Sequence, residues 1–458
     1  MTARRVLMVS PHFPPDTSAA THRVRLLAPA VAAAGWEPVV LTLTPGSYEG
    51  RLEPALLDLV PPSLRVERVP AWPPSRTRWL GVGDLGLRAW TALRARARAL
   101  LAAERFDAVF WTVYPSWPAS SGPGLAHEAG AAFVLDLQDP WVGAWGRTVG
   151  GGPGGTPDLK SRVTRLLSLP LERRTVCAAD GLSGVSNGTL DEVLARVHPP
   201  RDLPRAQLPL VANAADVALA RRTPLLTPPW NAGDGRTHLV WLGTLLPAGI
   251  VVMQAILAAL HQAVERDPSL ADRLRLHCFG TSNETRIGAP GRVMPIAREA
   301  GVEGLVTEQA ERLDYLDALR ILVRADAIVL GGSTEPHYTA SRIYPALLAQ
   351  RPLIAIYLEG SHSARALRMS LAVPSLRLVT FGGSSPQAGE VAELAAAITD
   401  VAHGLAWRAG DHRPASAGAP DALEVGRRLA DLLERACAAH AARVGDGAAT
   451  GPAPGGSR

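Results

Sequence analysis

Short unbroken apolar runs alternate with amphipathic helical stretches along this chain, and the series is played twice. The first series reads as strands at Val6–Ser10, Val39–Leu43, Leu64–Val69, Ala108–Trp111, Phe133–Leu137, Gly181–Val185 and Leu208–Val211. Helices are expected between them, notably Thr21–Ala34, Leu85–Ala103 and Asp158–Ala178. The second series reads as strands at Leu239–Leu242, Leu274–Phe279, Ala327–Leu330, Leu353–Ile356 and Leu376–Val379. A strand that is apolar at every position is buried on both faces, so the sheets are parallel and helix-covered. Strand–helix–strand order repeated in this way predicts an α/β chain of two doubly wound domains.

The 458 residues suffice for two or three domains with large cores. The expected boundaries are a first domain over 1–212, a proline-rich hinge over 213–236, a second domain over 237–412, a C-terminal helix over 413–443 and a disordered Gly/Ala/Pro-rich tail over 444–458. Charged residues make up 19% and the net charge is +5, which suits an anionic small-molecule or lipid partner but is too mild to indicate nucleic acid. Lys160 is the only lysine, so nearly all the basic charge is arginine, whose planar fork matches phosphates and carboxylates. Cys177, Cys278 and Cys437 lie far apart, which excludes a CxxC or zinc spacing and fits buried thiols in a reducing compartment. No stretch reads as the roughly 20 apolar residues of a membrane span. The opening apolar run is too short for a signal peptide, so a cytoplasmic protein is expected.

In a doubly wound sheet the ligand crevice lies beyond the carboxyl ends of the strands. The first strand runs into Ser10-Pro-His-Phe-Pro-Pro-Asp-Thr-Ser, then a helix, which places His12, Asp16, Ser18 and Arg23 on an expected cleft wall. The plain alternative is a proline-stiffened turn. The fifth strand ends Asp136-Leu-Gln-Asp139-Pro, and two carboxylates there are costly without purpose. Asp139 is expected to face the cleft, while Asp136 is free to bond loop amides. In the second half, Gly243 and Thr244 follow one strand, Gly280 and Thr281 follow the next, and Arg312 with Tyr315 opens a later helix. Glycine at a strand end lets a ligand approach the backbone. Residues 334–352 then supply Glu335, Thr339, Ser341, Arg342 and Tyr344 around a helix start. Free amides and a positive dipole end, with an arginine beside them, are suited to a diphosphate. The plain alternative there is a crossover loop with a serine cap. No G-x-G-x-x-G follows a strand, and Lys160-Ser161 lacks the glycine of a P-loop. No clustered carboxylates and histidines suggest a metal.

At this point the chain resembles glycosyltransferase family 4. The resemblance rests on Phe13-Pro-Pro…Arg23…Leu27…Ala34-Gly35-Trp36-Glu37-Pro38-Val39, on Leu171-Glu-Arg…Ala179-Asp180-Gly-Leu…Val185-Ser186, on Pro209–Asp216, and on Ala325-Asp326 with Ser341-Arg-Ile-Tyr-Pro…Pro352. It implies the GT-B fold, two facing Rossmann-like domains joined by a hinge. It implies transfer of a sugar from a nucleotide-sugar donor to a hydroxyl acceptor, usually with retention and with neither metal nor cofactor, in surface polysaccharide or glycolipid assembly. On this resemblance Glu335 would hold the donor sugar, Arg342 the leaving diphosphate, and Asp139 would touch the transferring sugar. The donor would lie among Gly243, Thr244, Gly280, Thr281, Arg312, Thr339, Ser341 and Tyr344, and the acceptor beside His12, Asp16, Ser18 and Arg23. The chain departs from the pattern at three points. Pro345 stands where a second Glu is usual, no cation follows Gly243, and Glu335 is followed by Pro336-His337-Tyr338.

Two other functions are consistent with the sequence, a nucleotide-sugar epimerase of the same fold and a catalytically silent nucleotide-sugar-binding module. The Leu85–Ala103 helix carries Trp90, Leu93, Ala97, Leu100 and Leu101 on one stripe, with Arg88, Arg94, Arg96 and Arg98 around it. A core-facing helix with a solvated basic face is the expected reading. The alternative is docking at the inner face of an anionic membrane, where a lipid-linked acceptor would reside.

Overall fold

The computed structural model describes residues 3–80, 83–142, 159–209, 213–225, 227–231, 233–282, 284, 288–334, 342–369, 376–405 and 422–449. Two compact units emerge, one of residues 1–210 with 422–458, the other of residues 211–421. In the first, β1 (Arg4–Val9), β2 (Trp36–Leu43), β3 (Arg65–Val69), β4 (Ala108–Val113), β5 (Ala132–Leu137), β6 (Gly181–Gly184) and β7 (Arg205–Gln207) form a sheet of order β3-β2-β1-β4-β5-β6-β7. In the second, β8 (Thr237–Leu242), β9 (Leu274–Phe279), β10 (Val306–Gln309), β11 (Ala327–Gly331), β12 (Leu353–Leu358) and β13 (Leu376–Phe381) are ordered β10-β9-β8-β11-β12-β13. Every neighbouring pair in both sheets is parallel. All six residues of β4 and of β5 are buried, as a run apolar on both faces requires. Each unit is thus the doubly wound parallel sheet that the sequence predicts.

The strand order reverses between β1 and β4 in one unit and between β8 and β11 in the other. These switch points are where adjacent loops run in opposite directions and leave a crevice.

Four features differ from the sequence expectations. An edge strand lies at Arg205–Gln207, ahead of the expected Leu208–Val211, whose residues 210 and 211 fall outside the described residues; Pro209 has no amide with which to continue the ladder. Strand β10 was not expected. The stretch Pro247–Arg266 does reach the length and apolarity of a membrane span. Its helix, Ile250–Arg266, buries Val252, Met253, Ile256, Leu257 and Leu260 in the core of the second unit. Lastly, the helix Ala422–Ala449 continues through part of the expected disordered tail. Once a long helix exists, each further residue adds a hydrogen bond without a new nucleation cost.

The Ala422–Ala449 helix belongs to the first unit. Asp180, 1% exposed, accepts from the Phe133 amide at 2.9 Å and lies 2.8 Å from His127 Nε2 and 3.3 Å from His440 Nδ1. Burial alone would raise its carboxyl; the His127 bond, the Phe133 amide and the neighbouring charges overcome that and hold it below the ordinary range. The three side chains have a spacing a cation could use, but Arg443 and Arg201 stand 3.3 Å and 3.9 Å from the other Asp180 oxygen. The cluster is therefore a charge-balanced clasp for the C-terminal helix. At the other end of that helix, Gly426 lies against the Thr21–Ala33 helix. A Cβ there would sit 2.5 Å from the carbonyl carbon and oxygen of Ala30. Backbone cannot swing aside as a side-chain tip can, so Gly426→Ala is expected to cost about 1–3 kcal/mol. A thermal melt with an unchanged midpoint would show that the two helices are not closely docked.

Candidate functional site

The first unit holds a cavity of about 680 Å³ whose lining includes His12, Ser18, Tyr114, Asp139, Thr164 and Ser168. His12 follows β1, Tyr114 follows β4 and Asp139 follows β5, so the cavity lies at the carboxyl ends around the switch point. Asp16 is 6% exposed and accepts from Ser18 Oγ at 2.5 Å and Thr21 Oγ1 at 2.8 Å, with His12 Nδ1 at 2.7 Å. Burial opposes its charge, but the bonds from His12, Ser18 and Thr21 prevail and lower its pKa, so Asp16 is ionised. A carboxylate only accepts, so the proton at 2.7 Å belongs to His12 Nδ1. Nε2 is then the ring nitrogen left to accept a proton. Tyr114 and Tyr48 flank the imidazole, with ring centroids 5.4 Å and 6.1 Å away. Burial pushes the Tyr48 phenol up to about 12, and its hydroxyl donates to Pro11 O at 3.0 Å.

Asp139 has an exposed outer side, yet the surrounding walls desolvate its carboxyl enough to raise its pKa. Asp136, the penultimate residue of β5, has another partner. Arg23 Nε and Nη2 donate to its two oxygens at 2.9 Å and 2.6 Å, and Ser183 Oγ donates at 2.7 Å. Arg23, expected on the cleft wall, is instead 2% exposed and inside the unit. Its guanidinium turns to the Asp136 carboxylate and the Leu208 carbonyl, which satisfy the charge inside the unit.

In the second unit the β8–β11 switch point is occupied by Arg342. Its Nη1 donates to Leu242 O at 3.3 Å, its Nη2 donates to Gly331 O at 2.6 Å, and its guanidinium carbon lies 4.4 Å from the Trp241 ring centroid. Gly243, with φ +123°, makes room for it, because a Cβ there would lie 2.9 Å from Arg342 Nη1. Arg342 Nε is buried with no hydrogen-bond partner among the described residues. The residue as a whole is half-buried.

The other expected donor contacts divide. Gly280 lies beside Gly243, and Thr244 and Arg312 are half-buried near the strand ends. Thr281 is fully buried, and its hydroxyl is committed to Glu308. The Glu308 carboxylate also accepts the amides of Arg292, Val293 and Met294 at 2.7, 3.0 and 2.9 Å. Tyr344 is 7% exposed, and burial raises its phenol. Thr281 and Tyr344 therefore lie beneath the surface where a donor contact was expected. Glu335, Thr339 and Ser341 fall outside the described residues.

Residues 18–214 match the family model described as a glycosyl transferase 4-like domain. They form a glycosyltransferase 4-type domain. The whole chain also superposes on solved structures of the GT-B fold. HepE of Anabaena, in complex with UDP, is 14% identical with a TM-score of 0.50, over 98% of this chain and 100% of that one. A UDP-forming α,α-trehalose-phosphate synthase from Burkholderia xenovorans is 10% identical with a TM-score of 0.50, over 99% of this chain and 100% of that one. A putative UDP-N-acetylglucosamine 2-epimerase from Listeria monocytogenes is 13% identical with a TM-score of 0.50, over 93% and 95%. No curated protein matches the sequence. The family match covers residues 18–214, and the structural likeness over nearly the whole chain is a likeness of GT-B fold.

The fold also supplies a residue that local motifs missed. No cation directly follows Gly243, but Arg292 Nη1 donates to Leu245 O at 2.8 Å and so brings a guanidinium to that loop. The two positions are 47 residues apart, and no spacing rule links them.

Proposed function

We propose that this glycosyltransferase moves a sugar from a nucleotide-sugar donor held by the second unit to a hydroxyl acceptor held by the first. The observation that carries this reading is Arg342, a half-buried arginine at the β8–β11 switch point with one nitrogen unpartnered among the described residues. A leaving diphosphate gains negative charge as the glycosidic bond breaks, and a cation already fixed by carbonyls and an indole stabilises it without reorganising. Arg292 is a second cation beside the same strand end. Glu335, Thr339 and Ser341 are proposed to hold the donor sugar and phosphates. His12, oriented by Asp16 and beside Ser18, is proposed to hold the acceptor hydroxyl, and Asp139 to touch the transferring sugar. The reaction needs no metal or cofactor on this reading. Its product belongs to surface polysaccharide or glycolipid assembly, made at the inner face of the membrane.

A second reading, a nucleotide-sugar epimerase, draws support from the fold shared with the Listeria protein. The two differ in a simple respect, since an epimerase turns over with no acceptor present.

The test is transfer from UDP-, GDP-, ADP- and TDP-sugars to a mixed pool of hydroxyl acceptors in excess EDTA. HepE was crystallised with UDP, which makes uridine donors the first choice. Sugar transfer that depends on acceptor is expected. Turnover of the donor alone to an epimer would replace transfer by epimerisation, and tight binding without turnover would indicate a silent module. Asp139 adds a pH signature. Its carboxyl titrates above the ordinary range, so the carboxylate is lost on acidification at a higher pH than an unperturbed aspartate would lose it. kcat/KM is expected to fall on that acid limb. Asp139→Asn should lower the plateau about tenfold, near the 1.5 kcal/mol of one charge-assisted hydrogen bond, and should flatten the limb. An unchanged limb in the variant would place Asp139 outside the reaction.

A further inference from the structure

The Leu159–Ala178 helix has two unlike faces. Its inward face puts Thr164 and Ser168 in the wall of the His12–Asp139 cavity and buries Glu172, which pairs with Arg196 at 2.7 Å. Its outward face carries Val163, Leu166 and Leu167 at 48%, 70% and 54% exposure, followed by exposed Pro170 and Arg174 at the same helical spacing. Exposed Arg162 and Arg173 flank this stripe. Arg162, Arg173 and Arg174 have no ion-pair partner among the described residues. The helix holds five basic residues and one acid, and that acid is the buried Glu172. The Leu85–Ala103 helix, the sequence candidate for membrane contact, instead turns Leu93, Ala97 and Leu100 into the core. Its exposed Arg94 and Arg98 join Arg174 around a cavity of about 500 Å³.

An exposed apolar stripe in water needs a partner to cover it. Here its flanks are cationic and carry no acid, so the complementary partner is apolar within and anionic at its surface. We propose that the outward face of the Leu159–Ala178 helix docks this protein on an anionic lipid bilayer, with Val163, Leu166, Leu167 and Pro170 entering the interface and Arg162, Arg173 and Arg174 meeting the headgroups. The same helix walls the cavity, so docking brings that cavity beside the lipid surface. The proposal deepens the reading of the cavity as an acceptor site, since the acceptor would then be lipid-linked.

The experiment is co-sedimentation of the full chain, without donor or acceptor, with vesicles of phosphatidylcholine alone or mixed equally with phosphatidylglycerol. Because no substrate is present, its outcome is independent of the transferase reading. Binding is expected only to the anionic vesicles and should weaken as salt rises. The Leu166→Glu/Leu167→Glu variant is expected to bind at least about tenfold more weakly, because two apolar side chains no longer enter the interface. Arg173→Glu/Arg174→Glu should also lose about tenfold. Transfer to a soluble acceptor should be unchanged in both. Wild-type protein that ignores anionic vesicles, or a Leu166→Glu/Leu167→Glu variant that binds them as well as wild type, overturns the proposal. So does light scattering that shows a wild-type dimer split by that variant, since the stripe would then be covered by a second copy.

Discussion

Asp136→Asn is expected to destabilise the first unit by about 3–5 kcal/mol, the cost of leaving one member of a buried ion pair without its counter-charge. Asp136 is fully buried at the end of β5, and Arg23, 2% exposed, reaches it from the Thr21–Ala33 helix. The contact is bidentate, at 2.9 Å and 2.6 Å, and Ser183 on β6 adds a hydrogen bond to the same carboxylate. Arg23 Nη1 also donates to Leu208 O at 2.5 Å, so one cation ties a helix, two strands and the segment after β7. Replacing the carboxylate by an amide leaves the guanidinium charged and dry. Replacing both partners, as in Arg23→Met/Asp136→Leu, removes the desolvation cost together with the attraction and should restore most of the loss. The measurement is a denaturant titration read on the transition of the first unit, because two units need not unfold together. An Asp136→Asn variant within about 1 kcal/mol of wild type would mean that water reaches the pair.

That pair marks where sequence reading stops. The strands were legible because burial on both faces leaves continuous apolar runs. Leu274–Phe279 and the helix Leu85–Ala103 were placed to the residue. Strand β10, Val-Thr-Glu-Gln, was missed because it sits at a sheet edge, where one face and one hydrogen-bonding side need no apolar residues. Arg23 was placed on the correct helix, but helical position does not say whether a guanidinium turns toward a crevice or toward a carboxylate 113 residues away. Thr281 illustrates the same limit, since its partner Glu308 belongs to β10, the strand that was missed. The outward stripe on the Leu159–Ala178 helix has the period of a core stripe, and only the packing shows that it is exposed among the described residues. Local pattern thus located the elements and their carboxyl ends. Contacts across long sequence separations decided which polar groups serve the site and which serve the fold.

Arg342 stands on both sides of that division, and the largest loss of activity is expected there. Arg342→Ala should lower kcat/KM by about 10²-fold or more, the 2.7–4 kcal/mol typical of one lost charge-stabilising donor. The variant should also be less stable, because Leu242 O and Gly331 O lose their donor and Trp241 loses a cation over its ring. The two effects separate by measurement. A structural strut alone would lower the melting temperature of the second unit and leave kcat/KM near wild type at temperatures where the variant is folded. A diphosphate clamp lowers kcat/KM in fully folded protein and weakens nucleoside diphosphate binding in calorimetry. Arg342→Lys sharpens the distinction. Lysine keeps the charge but has no fork with which to hold two carbonyls and a phosphate at once. It should recover part of the diphosphate affinity while the carbonyls of β8 and β11 remain poorly served. If Arg342→Ala melts early yet binds nucleoside diphosphate and turns over as wild type does, the arginine is only a brace between β8 and β11. The donor would then have to be sought beside Arg292, across the same switch point.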